Sequence, residues 1–248
     1  MRIRKFLSAA GATVFMCAAA APAAVISIGS IKDNTLYEDA AGSLSNGAGQ
    51  RIFAGMAGNG LIRRGLMAFD IAGNIPAGAT INTVTLRLNM SQTSSGMKTV
   101  ELRPALIDWG EGFSVAGGGE GSGAPATLGD ATWLHARYPS SFWSNVGGDF
   151  AGSASASQLV GAIGAYTWSS SQLAGDVQTW LDNPASNFGW AVLCDEVNIG
   201  SAKRFDSREN ATPANRPLLI IDYSPIPEPA TIAILALGIL AICRRRCV

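Results

Sequence analysis

Period-two alternation of apolar residues constrains this chain more than any other feature. In "TINTVTLRLNM", Val84, Leu86, Leu88 and Met90 fall on one face, and Thr85, Arg87 and Asn89 on the other. That is the spacing of a half-buried strand. "GLMAFDI" is apolar on both faces, with Met67, Phe69 and Ile71 opposed to Leu66 and Ala68, as in a strand covered on both sides. "PLLIIDYS" sets Leu219, Ile221 and Tyr223 against Leu218, Ile220 and Asp222. Further strands are expected near Asn34–Asp39, Arg51–Ala54, Lys98–Leu106, Tyr166–Trp168, Phe188–Asp195 and Ala202–Arg208. Turn-forming stretches such as "GNIPAGAT" and "DNPASN" separate them. Many short strands with Gly- and Pro-rich connections specify an all-β sandwich.

One segment departs from period two. "SSSQLAGDVQTWLDNP" places Leu173, Val177, Trp180 and Leu181 at i, i+4, i+7 and i+8, the apolar stripe of a short helix. Ser171 is the expected cap, and Pro184 halts the helix after Asp182. From Gly110 to Asp130 the composition turns to Gly, Ser, Ala and Pro without periodicity, which predicts a long surface loop ordered in part.

The two ends are of another kind. Arg2, Arg4 and Lys5, the apolar run Phe6–Ala20 and the small residues "APAA" (Ala21–Ala24) form a secretory signal peptide over residues 1–24. The last segment, 225–248, holds Pro227, Glu228 and Pro229, then an uncharged run from Ala230 to Cys243, then Arg244, Arg245 and Arg246. The run of 14 residues reaches about 21 Å as a helix, short of the roughly 30 Å of a bilayer core. The basic cluster that follows marks the cytoplasmic flank of an inserted segment, so the tail is expected to be a hydrophobic helix that anchors at least transiently.

Without Arg2, Arg4, Lys5, Glu228, Arg244, Arg245 and Arg246, the middle Val25–Ile226 has 12 basic and 17 acidic residues, a net of −5. A mildly acidic domain lacks the clustered Lys and Arg that nucleic acid requires. Cys17, Cys243 and Cys247 lie in the terminal segments. Cys194 is therefore alone in the middle domain, where it has no disulfide partner and suits a buried strand position beside Phe188, Trp190 and Val192.

The tail's order of parts, from Pro227 to Arg246, resembles the bacterial PEP-CTERM sorting signal. That resemblance implies export, processing by the membrane protease-transpeptidase exosortase, and a bacterium that makes exopolysaccharide. The middle (25–224) resembles the DNRLRE-type domain. The likeness runs through "LMAFDIAGNIPAGATINTVTLRLNM", "DWGEG", "ATW", "VQTWLDNPASNFGWAVL", "KRFDSREN" and "RPLLIIDY". It implies a secreted, jelly-roll-like antiparallel β-sandwich module, which in some relatives binds carbohydrate beside polysaccharide-degrading enzymes.

Candidate sites are few. Trp109, Trp133, Tyr138 and Trp143 border the Gly-rich stretch, as a sugar-stacking platform or as pins that hold the loop down. In a strand, Arg204, Asp206 and Arg208 would share one face, as a structural ion-pair ladder or as a site where Arg204 and Arg208 take a sugar-acid carboxylate. Asp33, Glu38, Asp39 and Asp222 lie in the first and last strands and could meet around a structural Ca²⁺. His135 is the lone histidine, without a nucleophile elbow to serve, and "GEGSGA" (Gly119–Ala124) neither follows a strand nor opens a helix. The sequence thus points to a non-catalytic exported protein of the envelope or extracellular matrix, structural or exopolysaccharide-binding. The competing class is a polysaccharide-acting hydrolase or lyase with a carboxylate pair on the sandwich.

Overall fold

The structure is a computed structural model that describes residues 22–226. Most of the expected signal peptide, and the tail from Pro227 onward, lie outside the described residues. Ala23–Pro225 form one compact unit. Its elements are β1 (Ala24–Tyr37), β2 (Leu44–Ser45), β3 (Arg51–Met56), β4 (Ile62–Phe69), β5 (Thr80–Thr93), β6 (Lys98–Pro104) and β7 (Ala124–Pro125). Then come β8 (His135–Arg137), β9 (Ser141–Phe142), β10 (Ala156–Val160), β11 (Gly164–Ser169), α1 (Ser171–Asp182), β12 (Trp190–Leu193), β13 (Lys203–Asp206) and β14 (Leu218–Ser224).

The main sheet closes on itself. Residues Ala24–Gly29 of β1 pair with β14, whereas Ser30–Tyr37 pair with β4, the register shifting between Ser30 and Lys32. Likewise β3 pairs with β13 through Ala54 and with β4 from Gly55. On β5, residues from Thr80 to Arg87 carry β14, and residues from Met90 to Thr93 carry β13. Following neighbours from β1 through β14, β5, β13, β3 and β4 leads back to β1, a six-stranded antiparallel barrel. The expected two-sheet jelly-roll sandwich is thereby corrected. Strands that bend across a bulge belong to two sheets at once and seal the gap between them. The remaining long strands extend the sheets, β11 on β5, and β12, β6 and β10 in succession beyond β4.

The apolar faces read from the alternation fill the interior. Val84, Leu86, Leu88 and Met90 of β5 are fully buried, with Leu219 and Ile221 of β14 and Phe205 of β13 in the same cluster. Helix α1 closes it with Leu173, Val177, Trp180 and Leu181. The cap is Ser170, one residue earlier than expected, its Oγ accepting from Leu173 N at 2.9 Å. Trp168 is fully buried in the same cluster and donates its ring N–H to Val100 O at 2.9 Å. Strand β4 is covered on both sides, as its sequence suggests. Met67 and Phe69 face the barrel core, while Leu66 and Ala68 face a second cluster.

That second cluster is roofed by the long connection between β6 and β10. Trp109, Ala131, Trp133, Ala136 and Trp143 from the connection pack on Leu36, Leu66, Ala68 and Ala191. The Gly-rich stretch is therefore not a loose surface loop. It is tied in by Ala48 N to Ser114 O (2.9 Å), Ala116 N to Asn46 Oδ1 (2.8 Å) and Ala131 N to Gly110 O (2.9 Å). Phe188 also departs from expectation. Gly189 has φ +75°, which ends the alternation, so β12 starts at Trp190 and Phe188 packs against the second cluster.

Candidate functional site

Where the second layer meets the barrel rim, three carboxylates converge. Asp33 lies on β1 just past its bulge, Glu111 in the connection after β6, and Glu209 in the turn after β13. One ligating oxygen from each lies within 4.8 Å of the others. Local backbone features bring them together. The β1 bulge turns Asp33 inward, where it is 1 % exposed. Asn34 donates its amide to Glu111 O at 2.9 Å and so fixes the connection against β1. Gly112 follows at φ +72°, and a Cβ there would stand 1.6 Å from Asp130 Oδ1, so the turn that aims Glu111 requires glycine.

Arg208 organises the group. Its Nε and Nη2 fork onto Glu111 Oε1 and Oε2, both at 2.6 Å, and Nε also reaches Glu209 Oε1 at 2.8 Å. Its backbone N–H donates to Asp33 Oδ2 at 2.8 Å, to which Ser30 Oγ adds a bond at 3.3 Å. The Asp33 N–H donates in turn to Glu111 Oε1 at 2.8 Å. Two buried oxygens, Asp33 Oδ1 and Glu209 Oε2, are left with no hydrogen-bond partner. Three carboxylates against one guanidinium leave two negative charges when all are ionised. Lys32 does not compensate, because its Nζ serves Asp108 (2.8 Å) and Trp109 O (2.7 Å).

The electrostatics follow. Burial, reinforced by Glu209 and Glu111 and opposed by Arg208, pushes the Asp33 carboxyl well above the usual range. Burial likewise raises Glu209, with Arg208 pulling it down and Glu111 pushing it up. The Glu111 fork raises Arg208 further. All donors are hard oxygens, and the free pair sits in a place where a proton or an oxygen-seeking cation would be stabilised.

The other expected sites are dispersed or interior. Trp109, Trp133 and Trp143 are 0 to 8 % exposed, which removes them as a stacking platform, since a sugar needs an open ring face. Trp109 donates to Phe188 O at 2.8 Å with Lys32 over its ring, and Trp143 donates to Thr132 O at 2.9 Å. Arg64 lies over Trp133. These rings pin the connection down. Tyr138 is half-buried and meets His135 edge-on at 5.1 Å. His135 itself is buried, with Nδ1 against Thr132 Oγ1 at 2.9 Å.

Arg204 and Arg208 do not share a strand face, because β13 ends at Asp206 and Arg208 is in the turn beyond. Arg204 contacts Ser91 (3.2 Å), and Asp206 takes Asn89 (2.7 Å) and Arg51 (3.3 Å). Arg208 does fork a carboxylate, but it is the protein's own Glu111. Of the expected calcium ligands only Asp33 joins the acidic group. Glu38 accepts from Ile62 N (2.6 Å), Asp39 from Ser43 N (2.9 Å) and Asp222 from Asn82 (2.9 Å). Strand geometry separates them. Asp222 pairs with Val25, about 26 Å along β1 from Asp33. Glu111 and Glu209 escaped the sequence reading, although "DWGEG" and "DSREN" drew notice, because nothing in their spacing ties them to Asp33.

Two adjoining open clefts lie on the β6–β12 surface. One is lined by Lys98, Glu101 and Asp195, the other by Arg64, Glu101, Arg103 and Glu196. Each acid there is held by a base: Asp195 by Lys98 (2.6 Å), Glu101 by Arg103 (2.8 Å) and Glu196 by Arg64 (2.7 Å). Cys194 lines both clefts by its edge but is largely buried, and burial raises its thiol.

Among known proteins, the family of the PEP-CTERM protein-sorting motif matches residues 225–246. No curated protein matches the chain. Among the described residues, no helix is long and apolar enough to cross a membrane. The tail motif marks the chain as an exported protein sorted by an exosortase, bound for the cell envelope or the extracellular space.

Proposed function

We propose that the chain is a non-catalytic building element of the envelope or extracellular matrix, its middle a DNRLRE-type domain that contacts exopolysaccharide. The observation that carries the destination is the sorting motif over residues 225–246. The paired charges of the open clefts support the non-catalytic part. A glycosidase acid needs a raised pKa at a site its substrate can reach. Here the acids with raised values, Asp33, Asp130 and Glu209, are wholly or mostly buried. The acids of the two β6–β12 clefts are neutralised by bases, and Glu38 and Asp39 of a third cleft are held by the N–H groups of Ile62 and Ser43. With the tryptophans inside, polymer contact falls to the polar clefts, where Lys98, Arg103 and Arg64 are the cations that suit acidic sugars. The tail anchors the chain in the inner membrane for a time, with Pro227, Glu228 and Pro229 presented to exosortase.

The test is expression of the full chain in an exosortase-containing, exopolysaccharide-producing bacterium. The wild type should reach the envelope or medium, and a variant with Pro227, Glu228 and Pro229 all changed to alanine should stay with the inner membrane. Affinity electrophoresis against the organism's own polymer should retard the released protein without shortening the polymer. Measurable turnover would overturn the non-catalytic reading.

A further inference from the structure

We propose that Asp33, Glu111 and Glu209 hold a divalent cation of the calcium or magnesium class, bound chiefly through Asp33 Oδ1 and Glu209 Oε2. The acidic cluster alone would not carry this. The second observation is the Asp33 side chain, a member of the cluster and 99 % removed from solvent, with Oδ2 engaged and Oδ1 left without a partner. An unpaired buried carboxylate oxygen is costly, and native interiors rarely leave one without a reason. Here there are two, from different parts of the chain, on neighbouring residues of one group.

Arg208 explains why these two oxygens are free. It occupies both Glu111 oxygens and Glu209 Oε1, while its backbone takes Asp33 Oδ2. The two oxygens that remain are buried and unpartnered, and the group keeps two uncompensated charges, which is what one divalent ion neutralises. A single proton can bridge only one pair of oxygens and removes one charge. The donors are all carboxylate oxygens, without nitrogen or sulfur, which selects a hard cation over zinc or copper. Glu111 keeps lone pairs for the ion beside its bonds to Arg208. Such an ion would fasten three distant segments together: the first long strand, the connection after β6 and the turn after β13. Its role is structural. It does not depend on the proposed contact with polysaccharide.

The experiment uses the full chain purified without chelator, its metal content read by mass spectrometry and its melting followed at pH 7.5 in EDTA, 1 mM CaCl₂ or 1 mM MgCl₂. The expected result is one bound divalent ion per chain. EDTA should lower the melting temperature by about 5–10 °C, the shift for an ion near a hundred times its Kd, and calcium or magnesium should restore it. Glu209→Gln should lose the ion dependence and, in EDTA, melt above the wild type because one uncompensated charge is gone. Asp33→Asn is the second variant and should behave alike. An unchanged melting temperature across EDTA, calcium and magnesium, with no metal in the purified chain, would overturn the proposal. So would a wild type indifferent to ions but stabilised on going from pH 7.5 to pH 5, the signature of a shared proton.

Discussion

The barrel interior and the layer under the β6–β10 connection are both apolar and rich in tryptophan, yet they are built on different principles. Inside the barrel, side chains arrive by strict alternation from paired strands, and the polar contribution is small, as with Trp168 on Val100 O. In the second layer the backbone is irregular. Its positions are held by side-chain bonds such as those of Asn34, Asn46, Asp130 and Asp149. The first region is stabilised by area and ladder. The second depends on individual polar contacts, and it is there that the chain gathers unpaired carboxylates.

The largest expected effect separates the two regions directly. Trp168→Ala should cost about 3–5 kcal/mol, lowering the whole unfolding transition in urea with far- and near-ultraviolet circular dichroism falling together. Trp143→Ala should instead loosen the connection, so that the near-ultraviolet signal falls before the β-sheet signal. Coincident transitions of equal size in the two variants would erase the distinction. Next in size is Gly112→Ala, expected to cost about 1–3 kcal/mol by urea denaturation, because alanine is strained at φ +72° and meets Asp130. A neutral result would mean that the turn beside Glu111 can rearrange freely.

The smallest effect is the acid limb. Burial alone would raise Asp149, but the N–H groups of Ser144 (2.7 Å) and Asn145 (2.9 Å) outweigh it and hold its carboxyl below the usual range. At Asp108, burial is likewise outweighed by Lys32 and Arg137. A folded pKa below the unfolded one contributes stability that is present above about pH 4 and lost as pH falls through the folded value. Melting temperature should therefore decline below about pH 4 as these two protonate together with Asp39 and Asp195, which Ser43 and Lys98 hold below the usual range, and Asp149→Asn should make that decline shallower. An unaltered acid limb in the variant would show that Asp149 does not hold the second layer.

The same contrast explains what was legible in the sequence. Strand β5, the two-faced β4, strand β14 and the stripe of α1 were readable because period two and period 3.6 are local properties. Barrel closure was not, since it rests on β1 changing partners at a bulge that leaves no mark in composition. The first ten residues of β1, Ala24–Asp33, are not legible because the alternation of Ile26 and Ile28 breaks off at Ser30 and Lys32. The tryptophans of the connection were misplaced because a Gly-rich neighbourhood suggests a surface, whereas here it permits close approach to the sheet. Of the acidic group the sequence singles out Asp33 alone, beside Glu38, Asp39 and Asp222, which the fold holds elsewhere. Glu111 and Glu209 reach Asp33 only through tertiary contacts across the chain.

The sorting motif over residues 225–246 marks the middle domain for delivery, and the central proposal is that exosortase then removes the tail's charged end. Intact mass of the protein recovered from medium and envelope tests it most directly. The account predicts a chain that starts after Ala23 or Ala24 and ends near Pro227–Pro229, without Arg244, Arg245 and Arg246. An exported chain of full mass through Val248 would contradict it.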